Sequence, residues 1–209
     1  PDPNQIKNAA EKLKQSTKPI IISGGGVLYS EAEKEISDFA KKHNIPVTAT
    51  VMGIGCMNKD DPYYISAIGC LGEGSSNNLA TETDLALAIG TKLGDFTTGS
   101  WTNFENENFQ LVSINTSRFD TTKHRATPVI SDAKIGLIEL SRALGDWKAP
   151  NDWYNKAIDE RNNWDAYVTK ESGPTNQELP SYAHAVGAVY RNSDPSDIAV
   201  TAAGGLVGE

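Results

Sequence analysis

Pro19-Ile20-Ile21-Ile22-Ser23-Gly24-Gly25-Gly26, residues 19–26, decides the fold. Three consecutive β-branched isoleucines without polar alternation suit a strand buried on both faces, as in parallel sheets covered by helices on each side. The glycines after it permit a tight turn out of the strand. Upstream, Asn4 is expected to cap a helix with Ile6, Ala9, Ala10 and Leu13 on one face, ended by Lys18-Pro19. Downstream, Ser30 and Glu33 have the spacing of a capping box for a helix carrying Ala32, Ile36, Phe39 and Ala40. That helix should stop near Asn44, because Pro46 disfavours helical geometry at Ile45. Further strands are predicted at Val47–Val51, at Leu85–Ile89 (ended by Gly90), at Leu111–Ile114 and, shorter, at Val129-Ile130. Ser131 is read as the cap of a helix with Ile135, Ile138 and Leu144, closed by Gly145. The class is α/β.

Beyond Gly145 the pattern changes. Trp147 to Asn151, with Pro150, reads as a linker, and Trp153, Ala157, Trp164 and Val168 mark a charged helix with an aromatic-rich stripe. Residues 172–180 are Gly, Pro and polar; Tyr182, Ala185, Val186 and Val189 suggest another helix, and Ile198-Ala199-Val200-Thr201 another strand. The expected division is 1–148 as one domain, 149–180 as linker and helix, and 181–209 as the start of a second, incomplete domain. Pro1 in place of Met, and a strand-like run followed only by residues 202–209, make both ends read as cuts.

Composition narrows the function classes. The formal charge of -8, from 19 basic and 27 acidic residues, has the wrong sign for a nucleic-acid backbone. No apolar run is long enough for a membrane span and no signal peptide is evident; the two cysteines, read as reduced thiols, fit a cytoplasmic protein best. Cys56 and Cys70 lack metal-site or disulfide-framework spacing and are read as reduced, buried or half-buried thiols.

Few motifs carry chemistry. Gly24-Gly25-Gly26 between strand and helix suits either an anion near a helix start or a plain turn, and the dinucleotide fingerprint would need glycine where Tyr29 stands. After Leu111–Ile114 a dinucleotide site wants a carboxylate for ribose, and the residue there is Asn115. Gly69, Gly72, Gly74, Asn77 and Asn78 form a second glycine-rich loop before a short helix, fit for a ligand or for turning the chain. His43, His124 and His184 have no metal-ligand spacing, and Lys123-His124-Arg125 is a basic patch suited to an anion or to a salt-bridged loop.

Taken in order, Pro19 to Gly26, Ile45-Pro46-Val47, Met52-Gly53-Ile54-Gly55, Asp84 to Gly90 and Ser131-Asp132-Ala133 resemble the central domain of thiamine-diphosphate enzymes of the acetolactate synthase type, over nearly all of residues 1–145. The resemblance implies a three-layer, Rossmann-like, six-stranded parallel sheet flanked by helices. Asp95-Phe96-Thr97-Thr98-Gly99-Ser100, and Phe119-Asp120 followed by Lys123-His124-Arg125-Ala126, are similar to the ring-opening hydrolases of inositol breakdown. Ala202-Ala203-Gly204-Gly205-Leu206 resembles the start of their cofactor domain, which implies Ala203, Gly204, Gly205 and Leu206 as contacts of thiamine diphosphate. The family's activating glutamate and its magnesium motif lie in other domains. The resemblance therefore implies that thiamine diphosphate and Mg2+ serve a longer parent enzyme, and that this chain holds no catalytic or metal-binding residue and binds no cofactor alone. It also implies that the chain positions the parent's other domains within a homo-oligomer. Two alternatives stand beside this reading: a flavin-binding relative of acetolactate synthase, with Gly24–Gly26 and residues 90–99 as contacts, and a stand-alone nucleotide-binding module.

Overall fold

The computed structural model describes residues 1–194 and 196–200. Its first compact unit, Pro1–Arg161, is built on six parallel strands. These are β1 (Pro19–Ser23), β2 (Val47–Ala49), β3 (Tyr64–Ala67), β4 (Leu85–Ile89), β5 (Gln110–Asn115) and β6 (Thr127–Ile130), in the order β3-β2-β1-β4-β5-β6. β1 lies at the centre, with Ile21 paired to Val47 on one side and Leu87 on the other. The helices are α1 (Pro3–Gln15), α2 (Gly25–Tyr29), α3 (Glu33–His43), α4 (Gly74–Glu82), α5 (Asp95–Thr98), α6 (Arg118–Thr122), α7 (Ala133–Leu144), α8 (Asn151–Glu171) and α9 (Tyr182–Asn192).

The uninterrupted apolar run of β1 is explained by two cores. Ile21, with Val47, Leu87 and Val112, packs against Leu13 of α1, Ile36 and Phe39 of α3 and Leu137 and Leu140 of α7. Ile20 and Ile22, with Ala86 and Ala88, pack against Leu79 of α4 and Trp153 and Ala157 of α8. A strand with apolar groups on both sides needs cover on both sides, and a three-layer arrangement follows. Trp153 is buried, and its indole N–H donates to the Pro19 carbonyl at 2.8 Å, so burial leaves no orphaned donor. Arg161 ties α8 to the start of β3 and the segment before it through the carbonyls of Lys59, Asp61 and Tyr64.

His43 fastens α3 to α7 and to the segment beyond it. Its Nδ1 lies 2.8 Å from the Trp147 carbonyl and must donate, while Nε2, 3.0 Å from Ser141 Oγ, is left to accept. Burial, reinforced by Lys42 and Lys148 nearby, outweighs the carbonyl bond and pushes the imidazole below its ordinary value.

Several local expectations are corrected. α1 is capped by Asp2, whose carboxylate accepts from Asn4 N–H, with Pro3 in the first turn; Asn4 is inside the helix. Ser30 and Glu33 form no capping box: α3 starts after Ala32, and Ser30 Oγ donates to Asp132 at 2.6 Å. Asp132, rather than Ser131, caps α7 by accepting from Ile135 N–H. The predicted strand 47–51 ends at Ala49, because the chain turns into a short 3-10 segment at Val51–Gly53. Asn77 and Asn78 sit within α4, not in a loop before it. Cys70 is exposed, whereas Cys56 is buried.

The second unit begins at Asn162. Its α9 forms where the apolar spacing predicts, but Tyr182, Val186, Val189 and Tyr190 on it are exposed. Ile198–Val200 carry no strand structure, and Ile198 and Val200 are almost wholly exposed; Thr201, and the proposed cofactor contacts Ala203, Gly204, Gly205 and Leu206, lie outside the described residues.

Candidate functional site

A cleft of about 640 Å3 opens at the carboxyl ends of β1, β2, β4 and β5. After β1 the chain runs to the core holding Val27 and Ile36, and after β4 to the core holding Leu93, against which Trp101 and Phe104 pack. Neighbouring parallel strands whose connections leave in opposite directions open a crevice between them, the usual ligand position in such sheets. Its volume falls in the range of small-molecule sites.

The floor is backbone. Gly26 N–H donates to Gly90 O at 3.0 Å, and Gly24 N–H to Ile89 O at 2.8 Å. A Cβ on Gly24 would stand 2.4 Å from Gly90 O, and one on Gly26 would stand 2.6 Å from Gly90 Cα. Close approach of two turns, needed for the sheet itself, thus accounts for these two glycines without a ligand. Gly25 and Gly26 do line the cleft, together with the loop from Gly90 to Thr97, so the two segments named as nucleotide contacts converge.

Asn115 ends β5 beside this floor. Its side-chain N–H donates to Thr91 O at 3.1 Å and its Oδ1 accepts from Ser117 N–H at 3.0 Å, so both polar atoms serve the protein's own loops. The position a ribose-binding carboxylate would take is chemically committed elsewhere. The glycine-rich segment at 69–74 is similarly braced: Asn77 accepts from Gly69 N–H and donates to Gly69 O, both at 3.0 Å, mimicking a strand pairing. Gly69 has φ +111°, and Cys70 N–H donates to Phe96 O at 2.7 Å, which stacks this loop on the rim formed by α5.

The rim joins the two stretches that stand out in the sequence. Trp101, just beyond Asp95–Ser100, packs against His124 with ring centres 4.2 Å apart and the planes tilted by 49°. Ser100, Trp101, His124 and Arg125 all have positive φ, between 52° and 72°, so two strained turns meet at this ring pair. Burial, then Lys123, lowers the His124 imidazole despite the opposing effect of Asp95. The basic patch is not a free anion site: Lys123 is paired with Asp120 at 2.7 Å and lies over the Phe119 ring at 4.9 Å. The bond from Lys123 holds the Asp120 carboxyl below its ordinary range. Tyr29, Met52, Leu71 and Phe96 surround the opening as exposed apolar groups.

His43, His124 and His184 lie on separate elements, and among the described residues no three His, Cys, Asp or Glu groups meet as metal ligands. Burial raises the Cys56 thiol and leaves it unreactive. Sequence reasoning missed Ser117 as part of the cleft wall; a polar residue just ahead of a short helix gives no periodic signal. Among the described residues no helix is long and apolar enough to cross a membrane.

Against known proteins, residues 6–140 match the family model described as thiamine pyrophosphate enzyme, central domain. A 3D-(3,5/4)-trihydroxycyclohexane-1,2-dione hydrolase of Bacillus anthracis is 31% identical over 233 residues, covering 100% of this chain and 36% of the relative. The protein of that name from Clostridium tetani is 35% identical over 170 residues, 81% of this chain and 26% of the relative. In Bacillus cereus, a second hydrolase of the same name is 40% identical over 139 residues, 66% of this chain and 22% of the relative. The chain thus spans about a third of the length of the curated relatives it matches most fully.

Proposed function

The chain belongs to the thiamine pyrophosphate enzyme central-domain family, and from that premise we propose that it is the central domain of a thiamine-diphosphate-dependent hydrolase that opens the ring of a trihydroxycyclohexane-1,2-dione in inositol breakdown. The observation that carries this reading is identity to hydrolases of that name along the whole chain. The two stretches likest those hydrolases, Asp95–Ser100 and Phe119–Ala126, lie on one rim of the cleft, joined by the Trp101–His124 ring contact. The cofactor, when bound, supplies an electron sink for cleaving a C–C bond next to a carbonyl.

The role assigned to the described residues is architectural. Holding Mg2+ and the cofactor diphosphate is assigned to other parts of the parent polypeptide, with Ala203, Gly204, Gly205 and Leu206 proposed to approach the cofactor. The chain alone is without ring-opening activity on this reading. Its partners are the flanking domains of the parent and further copies of it, in the cytoplasm, and the exposed apolar groups of α9 support such company. The net charge of -8 speaks against nucleic acid.

A flavin- or nucleotide-binding reading is favoured by one observation, the glycine-floored cleft between β1 and β4. Against it, Asn115 offers no carboxylate and its amide is already bonded. The test of the hydrolase reading is a ring-opening assay on a polypeptide that supplies both flanking domains. Consumption of the dione that stops when thiamine diphosphate and Mg2+ are omitted is expected. A protein that leaves the dione intact and instead condenses 2-oxo acids with added flavin would belong with the acetolactate synthases.

A further inference from the structure

α9 begins with a capping box of unusual chemistry. Ser181 Oγ accepts from His184 N–H at 3.3 Å, and Ser181 N–H donates back to His184 Nδ1 at 3.1 Å. In the usual box the returning acceptor is a Glu or Gln oxygen, which keeps its lone pairs at neutral pH. Here the acceptor is a ring nitrogen that can take a proton. Because the Ser181 N–H points at it, Nδ1 carries the lone pair in the described arrangement and the ring hydrogen sits on Nε2.

We propose that the Ser181–His184 box is a proton-sensitive start for α9, closed when His184 is neutral and opened when the ring is protonated. Two effects act in the same direction. A proton on Nδ1 sets N–H against N–H, so the Ser181 amide loses its acceptor; the ring can then only donate to Ser181 Oγ, 2.9 Å away. A positive charge also appears in the first turn of a helix, whose N-terminus already carries partial positive charge. Glu171, a carboxylate on the segment packed against α9, is engaged elsewhere. On the segment packed against Gly187 of α9, Lys170 and Glu171 pair with each other at 3.5 Å, and Arg191 of α9 donates to Ser172 O. Glu178 precedes the cap, and among the described residues no carboxylate forms an ion pair with His184. This device is independent of the proposed hydrolase function and makes the ordering of α9 depend on pH.

The test is amide hydrogen exchange of the full 209-residue chain at pH 7.5 and pH 5.5, corrected for the intrinsic rate, read at residues 183–187. Protection of these amides is expected to fall roughly fivefold at the lower pH, the size of a lost cap. In His184→Gln, whose side-chain oxygen accepts at both pH values, the fall should be absent, while His184→Ala should show weak protection at both. Because the Gln variant keeps His43 and every other titrating group, the difference between it and the parent chain isolates this box. An equal fall in the Gln variant, no fall in the parent chain, or an α9 already unprotected at pH 7.5 would overturn the proposal.

Discussion

Gly90→Ala is expected to cost about 3–5 kcal/mol, from left-handed backbone strain together with forced overpacking. Gly90 has φ +60°, where any side chain strains the backbone, and its added Cβ would stand 2.6 Å from Gly26 Cα and 3.0 Å from Gly26 N. Those neighbours are backbone and cannot swing aside. Moving them would break the Gly26 N–H bond to Gly90 O and disturb the register of the central strands β1 and β4. A loss of this size is a large part of the roughly 5–15 kcal/mol that holds a domain together. Urea unfolding measures it. Gly94→Ser is the matched control four residues along the same loop: nothing lies within 4 Å of an added Cβ, and a serine at this cap position should change stability by less than about 0.5 kcal/mol. Equal effects of the two substitutions would refute the packing explanation.

Asp84→Ala should cost about 2–4 kcal/mol, since charge-assisted hydrogen bonds are lost and their donors are left unpaired. The Asp84 carboxylate accepts from the Ser16 hydroxyl, from Thr17 N–H at 2.8 Å and its hydroxyl at 2.9 Å, and from Lys18 N–H at 3.0 Å. One side chain ahead of β4 therefore gathers the turn that leads from α1 into β1. Burial on its own would raise this carboxyl; the bonds from Ser16, Thr17 and Lys18 outweigh it, so the net shift is downward. The sign follows from linkage. The unfolded chain binds this proton more readily, so the contribution is complete above the ordinary aspartate value of about 3.9 and disappears as pH falls from there through the lower folded value. The difference in unfolding free energy between the parent chain and Asp84→Ala should therefore be smaller near pH 3 than at pH 7. A difference that stays constant across that window would contradict the role given to the charge.

The central strands were legible because burial on both faces removes alternation: Ile20–Ile22 and Leu85–Ile89 cannot be read as half-exposed, and both are strands. β3 was not legible from the residues, since Tyr64–Ala67 is four residues long, opens on a half-buried tyrosine and holds a serine. The helix starts were misplaced by one or two positions for a common reason. Ser30 and Ser131 are good capping residues, but the backbone turns helical only after Ala32 and Asp132, and the serines bond elsewhere. In the cleft, Gly24–Gly26 announced a tight turn, yet its partner Gly90 is 64 residues or more away and only the fold brings the two together. Asn115 and Asn77 read as available polar groups in one dimension; in three they are spent on Thr91, Ser117 and Gly69. The stretch around Asp95 was singled out by resemblance alone and Lys123–Arg125 also as a basic patch, and their meeting at the Trp101 ring had no sequence signal.

Thermal melting of the chain in the presence of thiamine diphosphate with Mg2+, FAD, NAD or ADP tests the architectural role most directly, because any ligand that binds the folded state raises the midpoint by mass action. The account predicts no shift with any of the four, since the cleft's polar atoms at Asn115 are committed to the protein and no metal-ligand cluster stands among the described residues. A midpoint raised by several degrees with FAD or ADP would show that the cleft between β1 and β4 holds its own nucleotide, and would contradict a purely architectural central domain.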